Sequence, residues 1–185
     1  METIVNMEDW RKDTFVKFED RKKILLLGDD LRMPSGVGTM SKELVLKTLH
    51  HFHWVQLGGA VTHPDMGKII DMSPEIEKLL GFKVSCFIYP TKGYGGPDLL
   101  RAIMDKEKPD AIMHFTDPRF WIWLYQMEHE IRQKAPLMYY NIWDDLPFPM
   151  YNRNYYESCD ALFSISKQTF NINRHVLGDH NTAEI

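Results

Sequence analysis

The sequence predicts an α/β fold, a doubly wound and mostly parallel sheet. Three observations lead there. Six short apolar runs recur along the 185 residues, and a helical pattern follows each of them. No hairpin dipeptide separates consecutive runs, so successive strands need crossover connections, which are right-handed as a rule. Glycine-bearing turns stand at two strand-to-helix junctions, in SGVG at 35–38 and YGGP at 94–97. In such sheets ligands bind outside the carboxyl ends of the strands.

Composition bounds the function. A chain of 185 residues fits one domain with a substantial core. Its 44% hydrophobic and 12% aromatic content argues against disorder. Lys and Arg are dispersed and outnumbered by Asp and Glu, giving a net charge of -4 and no dedicated nucleic-acid surface. Cys86 and Cys159 lack CxxC spacing and read as buried free thiols, which points to a reducing compartment. No apolar run approaches the roughly 20 residues that span a bilayer, and METIVNMEDWRKDTF lacks the apolar core of a signal peptide. The expectation is a cytoplasmic chain without a membrane span.

Residues 1–22, with Trp10, Phe15 and Phe18 among charges, read as a lead-in helix or arm, and 23–185 as the domain. The organising stretch is KILLLGDDLRMPSGVGTM at 23–40. Ile24 to Leu27 form a strand apolar on both faces, stopped by Gly28. Asp29 to Ser35 make a loop, and Gly36-Val37-Gly38 open a helix carrying Met40, Leu44, Val45, Leu46 and Leu49. Such a junction brings free backbone N–H groups to the sheet edge, where an anion can be held. Ser35 and the glycines serve equally well as an ordinary helix start, and GxGxxG is absent, so both readings stay open here.

Residues 53–57 form the second strand, closed by a turn at Gly58-Gly59. His50, His51 and His53 lie where a helix ends, which suits the dipole better than a metal. Residues 60–83 are irregular but for a helix at 74–80 capped by Ser73. The third strand, 84–89, leads through Tyr94-Gly95-Gly96 to a helix started by Pro97. The fourth, 111–115, runs into Thr116-Asp117-Pro118 and an aromatic helix at 118–134. The fifth, 137–142, emerges into WDDLPFP, and a short helix follows at 152–158. The sixth, 161–164, exits through Ser166 to a last helix at 168–177.

The carboxyl edge thus gathers Asp29, Asp30, Ser35, Gly36, Gly38, Tyr94, His114, Asp117, Asp144, Asp145 and Ser166. Asp117 fits a helix cap as well as a carboxylate facing a cleft. His114 fits a core histidine as well as a ligand contact. Asp144 and Asp145 are adjacent, so their side chains point apart in an extended segment; recognition of polar substrate groups suits them better than a metal. The aromatics from Phe120 to Tyr125 read mainly as packing. There is no P-loop and no Ser/His/Asp constellation.

Read in order, the first strand with SGVGT, then YGGPDLLRAI, KPDAIMHFTDP, NIWDDLPFP and CDALFSISK resemble the N-terminal domain of family 4 type glycosyltransferases. That resemblance covers 23–166 and implies a Rossmann-like half of a two-domain GT-B enzyme, which moves a sugar from a nucleotide-sugar donor to an acceptor with retention of configuration. It implies donor-phosphate contact at Gly36, Val37 and Gly38, catalytic positions at Asp117 and His114, acceptor contacts at Tyr94, Asp144 and Asp145, and at Ser166 the start of the segment toward the donor domain. No cofactor beyond the nucleotide-sugar substrate is implied. With the sequence ending at Ile185, the expectation is an acceptor-side domain inactive without its second domain, with an exposed cleft face suited to pairing with a second copy. The competing expectation is a free-standing module that binds a nucleotide or a protein without chemistry. A nucleotide-using epimerase or reductase comes third, lacking GxGxxG and a YxxxK pair.

Overall fold

The computed structural model describes residues 14–60 and 64–178. Seven strands form one sheet: β1 Lys22–Asp29, β2 Phe52–Gly59, β3 Ile70–Asp71, β4 Cys86–Pro90, β5 Ala111–Phe115, β6 Leu137–Asn141 and β7 Ala161–Ser164. Their order is β3-β4-β2-β1-β5-β6-β7. All neighbours are parallel except β3, which runs antiparallel to β4. The fold is therefore the doubly wound α/β sheet that the alternation predicts. The helices are α1 Gly36–Thr48, α2 Ser73–Leu80, α3 Pro97–Glu107, α4 Ile122–Gln126, α5 Glu128–Arg132, α6 Arg153–Glu157 and α7 Lys167–Leu177.

Sheet order decides where the crevice falls. From β1 the chain moves outward through β2 to β4, then jumps back to β5 on the other side of β1. Right-handed crossovers put the helices of the two directions on opposite faces. On one face α1 and α2 bring Val45, Leu49 and Ile76 onto Ile24, Leu26, Trp54, Cys86, Ile88 and Phe115. On the other, Leu100, Ile103, Leu124 and Ile131 cover Leu25, Leu27, Val55, Leu57, Ile112 and Leu137. A third cluster, Tyr139, Tyr156, Ile172 and Val176, seats α6 and α7. Each fully buried Leu or Ile contributes about 1.5–3 kcal/mol. Helices on both faces explain why the strand sequences read as continuous apolar runs rather than alternating ones.

Four local expectations change. The short β3 lies inside the stretch read as irregular. Gly58 and Gly59 end β2 rather than turning the chain, because loops pack against them: a Cβ on Gly58 would sit 3.1 Å from Asp30 Cα, and one on Gly59 2.5 Å from Gly93 O. Ser73 is the first residue of α2 and not its side-chain cap; its N–H is taken by Asp71 Oδ1, and its own Oγ accepts from Cys86 N. The single helix expected at 118–134 is a 3-10 turn, Pro118–Trp121, followed by α4 and α5. Trp121 and Met127 leave the helical region there, with φ near -119° and -110°.

Residues 14–21 pack beneath the amino edge of the sheet. Arg21 donates to the carbonyls of Val16 and Lys83, and Phe15 and Phe18 lie against His50 and His53. Burial lowers the His53 pKa, so this histidine packs as a neutral ring rather than serving the helix dipole. Trp10 falls outside the described residues. Cys86 is buried and Cys159 partly exposed, and both thiols are free. Among the described residues no helix is long and apolar enough to cross a membrane.

Candidate functional site

The loop after β1 is held from below by a buried amide. Gln56, 1% exposed, donates to the Asp29 carbonyl at 2.7 Å and accepts from Leu31 N at 2.9 Å. Asp30 binds the Arg32 guanidinium through two contacts, at 2.8 and 2.9 Å. Ser35 caps α1: its Oγ accepts from Gly38 N at 2.9 Å and donates to Asp29 Oδ2 at 2.7 Å. Gln56 and Arg32 were not singled out from the sequence. A polar residue in mid-strand on the central, two-faced part of the sheet was the signal for Gln56.

The three residues of the glycine loop differ in what they can do. Gly38 is buried, its N–H is engaged, and a Cβ there would lie 2.5 Å from Met33 O. It is fixed by packing. Gly36 is exposed, and a Cβ would meet nothing within 4 Å. The first N–H groups of a helix have no intrahelical partner, so Gly36 and Val37 remain the ones able to meet an anion.

At the switch point between β1 and β5 stands Tyr94. Its hydroxyl lies 3.5 Å from Asp29 Oδ1, and its ring stacks on Phe120 at 5.5 Å. Burial first, and then the Asp29 charge, raise its pKa. The loops after β1, β4 and β5 are thereby joined.

Next to it, past β5, a cleft of about 250 Å³ is lined by Asp117, Pro118, Tyr139, Asn141, Trp143, Asp144 and Asp145. Three of the sequence-derived candidates therefore meet. Asp117 is the N-cap of the 3-10 turn through Arg119 N at 2.9 Å, and both its carboxylate oxygens also receive the Arg119 guanidinium. Burial pushes the Asp117 pKa up, but the hydrogen bonds from Arg119 outweigh it and leave the carboxyl below its ordinary value. Arg119 in turn lies over the rings of Trp143 and Tyr151, 5.7 and 5.5 Å from their centroids. Arg119 was not a sequence candidate, although the D-P-R spacing at a strand exit offers a carboxylate and a guanidinium two residues apart.

Asp144 and Asp145 are exposed on the rim. Asp145 Oδ1 accepts from Leu146 N, and its carbonyl from Trp143 Nε1. Gln168 donates to the Asp144 carbonyl at 2.7 Å, tying this loop to α7. Ser166 caps α7 through Thr169 N at 3.1 Å; it lies past β7, outside the residues lining the cleft.

His114 lies below the site rather than in it. With 0% exposure, it shares a 2.7 Å hydrogen bond with the Tyr125 hydroxyl through Nδ1 and stacks on Tyr139 at 5.1 Å. Burial pushes its pKa down to about 3, so the ring is neutral. Asn141 beneath the cleft donates to Tyr156 at 2.9 Å and to Asn173, and accepts from Trp143 N at 3.0 Å. This buried network fixes where the Trp143 loop begins.

The edge as a whole offers helix N–H groups on one side and carboxylates with one guanidinium and aromatic faces on the other. That suits a ligand with an anionic part and a hydroxyl-bearing ring. No family model, no curated protein and no solved structure matches the chain.

Proposed function

We propose that the chain is the acceptor-side domain of a retaining glycosyltransferase of the family 4 type, working with a second domain that holds a nucleotide-sugar donor. The observation that carries this reading is the clustering of motif-derived residues: Gly36, Val37, Tyr94, Asp117, Asp144 and Asp145 share one carboxyl edge around the β1/β5 switch point. In this role Gly36 and Val37 offer N–H groups to the donor diphosphate. Asp144 and Asp145 accept hydrogen bonds from acceptor hydroxyls beside Trp143. Asp117 orients Arg119, whose remaining N–H groups meet negative charge on the leaving phosphate. His114 acts as a positioning residue by supporting Tyr139 in the cleft wall.

The test is hydrolysis and transfer from a panel of nucleotide sugars by the gene's full product. The expected result is release of nucleoside diphosphate with retained configuration, lost with Asp117→Ala and reduced by Gly36→Val. A second reading, a module that binds a nucleotide or protein without chemistry, draws on one observation: both Asp117 oxygens are occupied by Arg119. Saturable nucleotide binding with no turnover by the full product supports that reading and overturns the first.

A further inference from the structure

Residues 14–21 cross the amino edge of the sheet as a strap that is lightly held. None of residues 14–20 is buried. Val16 N donates to the His50 carbonyl at 3.0 Å, Phe15 packs edge-on against Phe82 at 4.8 Å, and Arg21 donates to the carbonyls of Val16 and Lys83. Segments with few buried contacts sit at the low end of local stability, so one proton can decide whether such a segment stays seated.

The strap's remaining contact is titratable. Phe18 meets the His53 ring edge-to-face at 4.6 Å. The Nδ1 atom of His53 is buried and has no hydrogen-bond partner among the described residues, so a proton placed there would lack an acceptor. It would also join a group of cations. Lys83 Nζ and Arg21 Cζ lie 4.2 and 5.5 Å from the centroid of the same Phe18 ring, and Lys23 is the register partner of His53 on β1. Lys23 pairs with Glu107 at 3.1 Å, and Glu19 acts on Arg21. The carboxylate acting on His53, Asp110, is already engaged by Lys22 at 2.9 Å and by Lys23 N at 2.8 Å. Burial lowers the His53 pKa; the Phe18 carbonyl and Asp110 oppose this, and Arg21 and Lys23 add to it.

We infer that residues 14–20 act as a pH-gated strap, seated while His53 is neutral and lifted from the amino edge when that ring is protonated. Arg21, 8% exposed, stays in place as the hinge. The device is separate from the proposed transfer chemistry and stands or falls without it.

Hydrogen exchange of the intact chain between pH 7.5 and 5.5, corrected for the intrinsic pH dependence of exchange, tests this. Protection of the amides at 15–20 is expected to fall severalfold, with a limit of about tenfold per pH unit for one linked proton. His53→Phe keeps a ring against Phe18 and removes the titration, so it flattens this response, whereas the acid response that His114 gives the core is the same in both chains. Linkage is reciprocal. Phe18→Ala loosens the strap and is expected to move the His53 titration, followed through its ring protons by NMR, up toward 6.5; this measurement decides the matter even if His53→Phe does not fold. The inference is overturned by pH-independent protection at 15–20, by an equal response in His53→Phe, or by a His53 titration that Phe18→Ala leaves in place.

Discussion

The side-chain amide of Gln56 donates to the backbone carbonyl of Asp29 at 2.7 Å, and through its other atom accepts from Leu31 N. One buried residue of β2 thus satisfies a backbone acceptor and a backbone donor of the loop that carries the glycine motif. Replacing Gln56 by Leu keeps the volume but leaves both groups unpaired. Each such group costs about 1–3 kcal/mol, so Gln56→Leu is expected to destabilise by about 3 kcal/mol in urea titration. Local hydrogen exchange at 29–35 should rise with it. An unchanged midpoint would mean that water replaces the amide.

The two glycines at the start of α1 separate packing from ligand access. Gly38→Ala forces a Cβ to within 2.5 Å of Met33 O and is expected to cost about 2–3 kcal/mol. Gly36→Ala meets nothing and should change stability by less than about 1 kcal/mol. Thermal melts of the pair read this directly. If Gly36→Val then lowers nucleotide-sugar turnover at unchanged melting temperature, the loss belongs to ligand approach and not to folding.

Most of the sheet was legible because strands buried on both faces are apolar almost throughout, and ILLL, WVQL, AIMHF and LMYYN are interrupted only by Gln56, His114 and Asn141. The clamps of the site were less so. Ser73 looked like a cap because serine before a proline-started helix usually is one, yet the helix begins one residue earlier, with Met72 at the N-cap position, and the Ser73 hydroxyl accepts from Cys86 N instead. The break in the 118–134 helix has no Pro or Gly to announce it; Trp121 is buried against His114, Tyr94 and Trp123, and tertiary packing overrides propensity there. Asp117 and His114 differ by three residues in sequence but by a full layer in depth. Only the structure separates a rim carboxylate from a core imidazole.

His114 gives a pH signature. Its folded pKa, about 3, lies below the ordinary histidine value of 6.5 because burial disfavours the cation. Between these values the unfolded chain binds a proton that the folded chain does not. Stability from this group is therefore complete above about pH 6.5 and falls as pH drops toward 3, with a slope of about 1.4 kcal/mol per pH unit. Urea titrations at pH 7, 6, 5 and 4 should show this slope in the parent chain and a flatter one in His114→Phe. Identical slopes would assign the acid sensitivity to other groups.

Asp117 responds in the opposite sense to loss of its partner. Burial alone would raise its pKa, and the Arg119 hydrogen bonds bring it below the ordinary carboxylate value. With the folded pKa depressed, its contribution is present above the unfolded value near 3.9 and lost as pH falls through the folded one. Arg119→Ala removes the guanidinium but leaves the burial and the residue-119 backbone N–H that Asp117 caps, so the Asp117 carboxyl should titrate higher than in the parent chain in carbon-13 NMR. The global melting temperature should hardly move, since an exposed ion pair contributes about 0–1 kcal/mol. Activity of the full product in that variant then sorts the two functional readings. If turnover falls with Arg119 removed while acceptor binding persists, the guanidinium meets transition-state charge. If nucleotide binding is untouched and no turnover existed to lose, the Asp117–Arg119 pair is a cap that secures the loop of a binding module.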